Sequence, residues 1–199
     1  MLSELECIKR VESEASALKC PSSQMQQDPR EFGSLIHFLL NQPTTFKHYL
    51  EIGAGCGHTA RVLDSFFDFE TVRLIDNEEH YRDRLDQIPK AQEWAGDSMS
   101  PDAGVAVVAW DVPYDLVLVD GGHSYECVKS DTYLALLTCG SPCFFVFHDA
   151  RHGQVRRWLS DLHAGVIPGM THVRQFGRDE PRGHIVNTSL WRWDKPCSD

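Results

Sequence analysis

The chain has 199 residues, a formal net charge of −10, ten histidines and seven cysteines. That length suits one domain with a substantial core, and a composition of 42% hydrophobic and 24% charged residues is ordinary for a soluble globular protein. The acidic balance argues against a nucleic-acid partner, which needs clustered lysine and arginine, and no apolar run approaches membrane-spanning length.

Residues 1–20 place Leu2, Leu5, Ile8, Val11, Ala15 and Leu18 close to helical spacing. Glu4, Glu6 and Lys9 interrupt any signal-peptide core. Cys20-Pro21-Ser22-Ser23 and the run Gln24–Gln27 break that helix. Asp28-Pro29 with Glu31 then starts a second one, which carries Phe32, Leu35, Ile36, Leu39 and Leu40 on one face.

Tyr49–Ile52 is predicted as a buried strand, followed by a glycine turn and a helix that turns Val62, Leu63, Phe66 and Phe67 to the core. Thr71–Asp76 is a second strand, Glu78–Leu85 an outer helix, and Ala91–Trp94 a short third strand leading to Gly96-Asp97-Ser98. Residues 100–111 read as a weak helix or a loop. Tyr114–Asp120 is the clearest strand, apolar enough to be buried on both faces. Ser124–Leu137 is a helix stopped by Gly140, and Pro142–Phe147 a fifth buried strand. Gln154–Leu162 is helical, and Thr171–Phe176 with Ile185–Trp193 makes a closing antiparallel pair in which Trp191 and Trp193 read as core. This alternation predicts an α/β fold with a parallel, doubly wound sheet. The cysteines show no pairing pattern: Cys139 and Cys143 are four apart around a loop, without a second pair to complete a zinc site. A reduced, cytoplasmic setting follows as the expectation.

Residues with chemistry fall at strand ends. Glu51-Ile52-Gly53-Ala54-Gly55-Cys56-Gly57 runs from a strand through a glycine turn into a helix that begins near His58. Glycine accepts positive φ and lets backbone pass close to a ligand, and the helix start offers free N–H groups and partial positive charge. A dinucleotide fingerprint wants G-x-G-x-x-G. His58 breaks it, which disfavours a nicotinamide-dependent oxidoreductase. Asp76 lies 21 positions after Gly55, room for one helix and the return to a parallel neighbour whose carboxylate can accept ribose hydroxyls. With Asp97, Asp120 and His148-Asp149, five strands deliver polar residues to one rim, although any one acid alone also reads as a helix cap.

These motifs, with Asp120-Gly121-Gly122-His123-Ser124-Tyr125 and the later Asp131, resemble a class I S-adenosylmethionine-dependent methyltransferase over roughly residues 32–150. The resemblance implies a Rossmann-like sandwich of seven strands with the last antiparallel. Residues 1–42 would be a helical extension of the same domain, and residues 43–199 the S-adenosylmethionine-binding unit. In that family Gly53, Gly55 and Gly57 cradle the amino-acid end of the cofactor, Asp76 binds ribose, and Asp97 with Ser98 meets the adenine edge. Glu51 orders the turn, and Asp120 closes the pocket. The D-G-x-H pattern is similar to the small-molecule O-methyltransferases of macrolide sugars and the methyltransferase-like proteins of cephalosporin tailoring. There, its aspartate and an acidic pair after the next strand hold magnesium, and its histidine is the proposed general base. Carried over, Asp120 and Asp149 are metal ligands, His148, which stands where those enzymes have glutamate, lies at the edge of the same ion site, and His123 is the base.

The chemistry fits those residue types. Methyl transfer from a sulfonium is an in-line displacement, so the enzyme mainly positions the acceptor and removes its proton. A cation stabilises the alkoxide while an imidazole takes the proton. Imidazole at position 148 favours softer ions than magnesium. A small hydroxylated acceptor is therefore expected. The alternative is a module that holds S-adenosylmethionine without turning it over. Acceptor identity and oligomeric state are not encoded in any motif.

Overall fold

The structure, a computed structural model, describes residues 2–17, 27–77, 88–177 and 188–196. The outer helix expected over 78–85 and the start of the strand expected from Ile185 lie outside the described residues. The elements in chain order are α1 (Glu4–Ala17), α2 (Pro29–Leu40), β1 (His48–Ile52), α3 (His58–Phe67), β2 (Thr71–Asp76), β3 (Ala91–Ala95), α4 (Pro101–Ala109), β4 (Tyr114–Val119), α5 (Tyr125–Leu136), β5 (Cys139–Phe147), α6 (Gly153–His163), β6 (Met170–Phe176) and β7 (Thr188–Trp193).

Seven strands form one sheet in the order β3-β2-β1-β4-β5-β7-β6. Strands β1 to β5 pair in parallel, and β7 runs antiparallel between β5 and β6. The order reverses between β1 and β4, so a crevice opens beyond their carboxyl ends. Both faces are covered. Leu50, Ile52, Val117, Val119, Phe145 and Trp191 meet Ala103, Val107, Val128, Trp158 and Leu162 from α4, α5 and α6. On the other face Tyr49, Leu74, Leu118, Phe144 and Val146 meet Val11, Phe32, Leu35, Leu39 and Val62 from α1, α2 and α3. The near-continuous apolar runs of β4 and β5 follow from this double burial. Trp191 is buried as expected, with Trp193 packed beside it.

One open reading is settled and one needs correction. The ambiguous stretch 100–111 contains α4: Ser100 caps it by accepting the Ala103 N–H, and Pro101 opens it. Gly140 does not stop α5, which ends at Leu136; it lies within β5, as do Cys139 and Cys143, so no loop separates the two cysteines. The strand starts early because its pairing with β4 is irregular, Tyr114 facing Cys139 while Leu116 faces Phe144. Cys7, Cys56, Cys127, Cys139 and Cys143 are free thiols. No helix among the described residues is long and apolar enough to cross a membrane.

Candidate active site

The turn after β1 is built on close approach. The Gly53 N–H donates to the Ile75 carbonyl at 2.8 Å. Gly53 has φ +88°, and a Cβ there would sit 2.2 Å from the Asp120 carbonyl oxygen, so only glycine fits. Gly57 caps α3 in the left-handed region with no side-chain cap, and its N–H is taken by the Ala54 carbonyl at 2.8 Å. The Gly55 N–H donates to Asp76 Oδ2 at 2.7 Å, tying the turn to the end of β2.

Around this turn lies a cleft of about 440 Å³ lined by Glu51, Gly53, Gly55, Asp76, Asp97, Ser98 and Asp120. Those are the residues singled out from the sequence for the cofactor, apart from Gly57, which shapes the turn from behind. Sequence reasoning did not single out Gln27 and Thr59, which also line it. Glu51 is buried beneath the cleft, where the Tyr49 hydroxyl donates to its Oε2 at 3.0 Å. Burial pushes its carboxyl well above the ordinary range, and the charges of Asp120 and Asp76 push the same way. Asp131, fully buried on α5, has no aligned hydrogen-bond donor to either oxygen. Burial raises it to about 6, against an opposing pull from the nearby Ser98 hydroxyl.

At the far end of the cleft, β4 and β5 lie side by side and present Asp120, His148 and Asp149. Ligand atoms of Asp120, His123 and Asp149 lie within 4.8 Å of one another. His123 Nε2 is 3.2 Å from Asp149 Oδ2 and 3.8 Å from Asp120 Oδ1, contacts at ion-pair distance without the alignment of hydrogen bonds. Ser124, not His123, caps α5 through the Cys127 N–H, so the His123 ring is left for the rim. Asp149 sits at φ +49°, a turn conformation that aspartate tolerates better than most residues.

His148 is buried and outside that group of three. Its Nδ1 lies 2.8 Å from Asp120 Oδ1 and 3.8 Å from Asp149 Oδ2. Its Nε2 is buried without a hydrogen-bond partner. Burial alone would lower His148 and raise Asp120. For Asp120 the nearby His123 and then the His148 bond and charge more than offset this and hold it below its ordinary value, and for His148 the Asp120 carboxylate does so and holds it above. His123 is raised by the Asp120 carboxylate first, against burial, with Asp149 adding to the rise. From α2, Glu31 faces the same region. Burial pushes its carboxyl up to about 7, while Thr188 and His148 pull it back. The His152 ring lies 5.6 Å from that of His123.

A family model described as a methyltransferase domain matches residues 50–150, the stretch holding the glycine turn, Asp76, Asp97, the D-G-G-H run and His148-Asp149. The chain belongs to this family. It is a class I S-adenosylmethionine-dependent methyltransferase. A search of curated proteins gives no significant match. Among solved structures, the methyltransferase is similar to the O-methyltransferase TomG of Streptomyces achromogenes, solved with S-adenosylmethionine and involved in tomaymycin synthesis. They share 18% identity with a TM-score of 0.64 over 95% of this chain and 90% of that one. It is also similar to an O-methyltransferase from Bacillus cereus in complex with S-adenosylhomocysteine, at 15% identity and TM-score 0.66 over 95% and 90%. The N-methyltransferase NodS of Bradyrhizobium japonicum shares the fold as well, at 17% identity and TM-score 0.62 over 94% and 98%.

Proposed function

We propose that the methyltransferase moves the methyl group of S-adenosylmethionine onto a hydroxyl of a small molecule, with His123 as general base. The observation that carries this reading is the meeting of Asp120, His123 and Asp149 at the end of the cleft. The fold does not choose between oxygen and nitrogen acceptors, since NodS shares it. The site favours oxygen: an amine needs no strong base, whereas a hydroxyl needs an imidazole to take its proton and positive charge to hold the alkoxide.

On this reading Gly53 and Gly55 cradle the amino-acid end of the cofactor, Asp76 takes the ribose hydroxyls, and Asp97 with Ser98 meets the adenine. Glu51 supports the turn from below. The acceptor proton passes to His123 Nε2 as the oxygen attacks the methyl carbon. The carbon–sulfur bond then breaks and S-adenosylhomocysteine leaves. Asp149 holds the resulting imidazolium.

Two carboxylate oxygens and one imidazole nitrogen suit manganese, iron or zinc at least as well as magnesium. Asp120 and Asp149 would hold such an ion, with His148 at its edge, so that His123 Nε2 is left to take the acceptor proton. An ion held there would supply positive charge that favours the deprotonated acceptor hydroxyl. Residues 1–42 are an extension of the same domain, with α2 beside the acceptor mouth. The test is to incubate the protein and S-adenosylmethionine with a panel of hydroxylated small molecules, following both nucleoside product and methylated acceptor by mass spectrometry. A methyl ether whose formation drops about 100-fold or more in His123→Ala supports the reading. S-Adenosylhomocysteine binding with no product from any hydroxyl, or product made only on nitrogen, overturns it.

A further inference from the structure

Gln27 stands just ahead of α2, held there because the next residue, Asp28, caps that helix by accepting the N–H groups of Arg30 and Glu31. It is 7% exposed and lines the cleft. Its Nε2 donates to Asp120 Oδ2 at 2.8 Å, and its Oε1 accepts the Thr59 hydroxyl at 2.9 Å. A carboxylate only accepts hydrogen bonds, so the amide nitrogen must face Asp120, which leaves the carbonyl for Thr59. Both bonds are thus set in one chain of donors and acceptors that runs from Thr59 to His148. Thr59 belongs to the first turn of α3, on the cofactor wall. Asp120 belongs to the acceptor rim and offers its other oxygen to His148. One buried amide therefore spans the boundary across which the methyl group must travel.

We infer that Gln27 is a positioning residue that locks the cofactor wall at Thr59 to the Asp120 carboxylate and fixes the plane in which Asp120 faces the acceptor. The inference rests on the cleft being the S-adenosylmethionine site. A carboxylate bonded on one oxygen alone can turn about its Cβ–Cγ bond. Bonded by His148 on Oδ1 and by Gln27 on Oδ2, it cannot turn without breaking one of two part-buried hydrogen bonds, and bonds to a charged acceptor are the strong ones. The same side chain roofs the cleft at the start of α3, so loosening it weakens cofactor binding too.

Calorimetric titration with S-adenosylhomocysteine tests this in the wild type, Gln27→Leu, Thr59→Val and the double variant. Each single change is expected to weaken binding 5- to 20-fold, with the double no weaker than the worse single, because either change breaks the same bridge. A side chain that only fills space would give losses that multiply. A crystal structure of Gln27→Leu with S-adenosylhomocysteine is expected to show the Asp120 carboxylate turned from its wild-type plane. Binding by Gln27→Leu within twofold of wild type, multiplying losses, or an unmoved Asp120 plane would each overturn the inference. A wild type that does not bind S-adenosylhomocysteine would instead sink the assignment of the cleft, a separate result.

Discussion

His148 Nδ1 lies 2.8 Å from Asp120 Oδ1, so the residue after β5 holds the residue after β4 across the strand boundary. His148 is buried and Asp120 half-buried, and each shifts the other toward its charged form. His148→Ala leaves the half-buried Asp120 carboxylate with one strong partner fewer, a loss of about 1.5–3 kcal/mol. Urea unfolding is expected to show that loss. His148→Asn, whose amide nitrogen can reach close to the Nδ1 position, should recover most of it. Equal stability of the two variants would mean that the imidazole serves only as packing.

Asp76 already accepts the Gly55 N–H, so it both shapes the turn and faces the cleft. Asp76→Ala is expected to weaken S-adenosylhomocysteine binding 10- to 100-fold, the loss of about 1.5–3 kcal/mol that charged hydrogen bonds typically supply. Asp76→Asn should fall between. Calorimetry reads both, and unchanged affinity in Asp76→Ala would remove Asp76 from the cofactor site.

Two glycines of one turn should fail in different ways. A Cβ on Gly53 would meet the Asp120 carbonyl at 2.2 Å in a backbone with φ +88°, so Gly53→Ala is expected to destroy the native fold or lower its stability by several kcal/mol. A Cβ on Gly55 meets no atom within 4 Å, leaving only a left-handed conformational penalty of about 1–2 kcal/mol. Gly55→Ala should therefore fold and yet bind cofactor poorly, because its methyl group enters the cleft. Thermal unfolding beside calorimetry separates these outcomes.

Asp131 has a folded-state carboxyl raised from 3.8 to about 6. Between those values the native state holds a proton that the unfolded chain has released, so this group's contribution is full below pH 3.8 and is lost as pH rises through about 6. The two-unit gap corresponds to about 3 kcal/mol at most. Asp131→Asn cannot ionise and keeps the shape, so it is expected to gain on the wild type as pH rises from 4 to 7. Parallel stability curves for the two proteins over that range would show that Asp131 is not raised.

The strand ends were legible because the fold dictates them: an apolar run such as Leu116–Val119 can end only where the chain returns to water, and Asp120 marks that point. Positive-φ glycines and the spacing from Gly55 to Asp76 add the cofactor turn. Helix α4 was less legible because its apolar residues do not share a face, Val105 and Val108 being exposed while Ala103 and Val107 are buried. The pairing of His148 with Asp120 depends on side-chain directions across 28 residues, which no local pattern encodes. Gln27 was hidden further, since a glutamine in a polar break between helices looks like linker until its two partners are seen.

The close approach of Gly53 to the Asp120 carbonyl fixes how the two ends of the cleft stand to each other. The cofactor turn and the acceptor-side aspartate are neighbours through backbone, on two paired central strands, with no space for a side chain between them. On the proposed function, the separation of methyl donor and acceptor is therefore set by the pairing of β1 with β4 and not by loops. A variant that repacks the peripheral helices is then expected to change which acceptor is taken and to leave that separation unaltered.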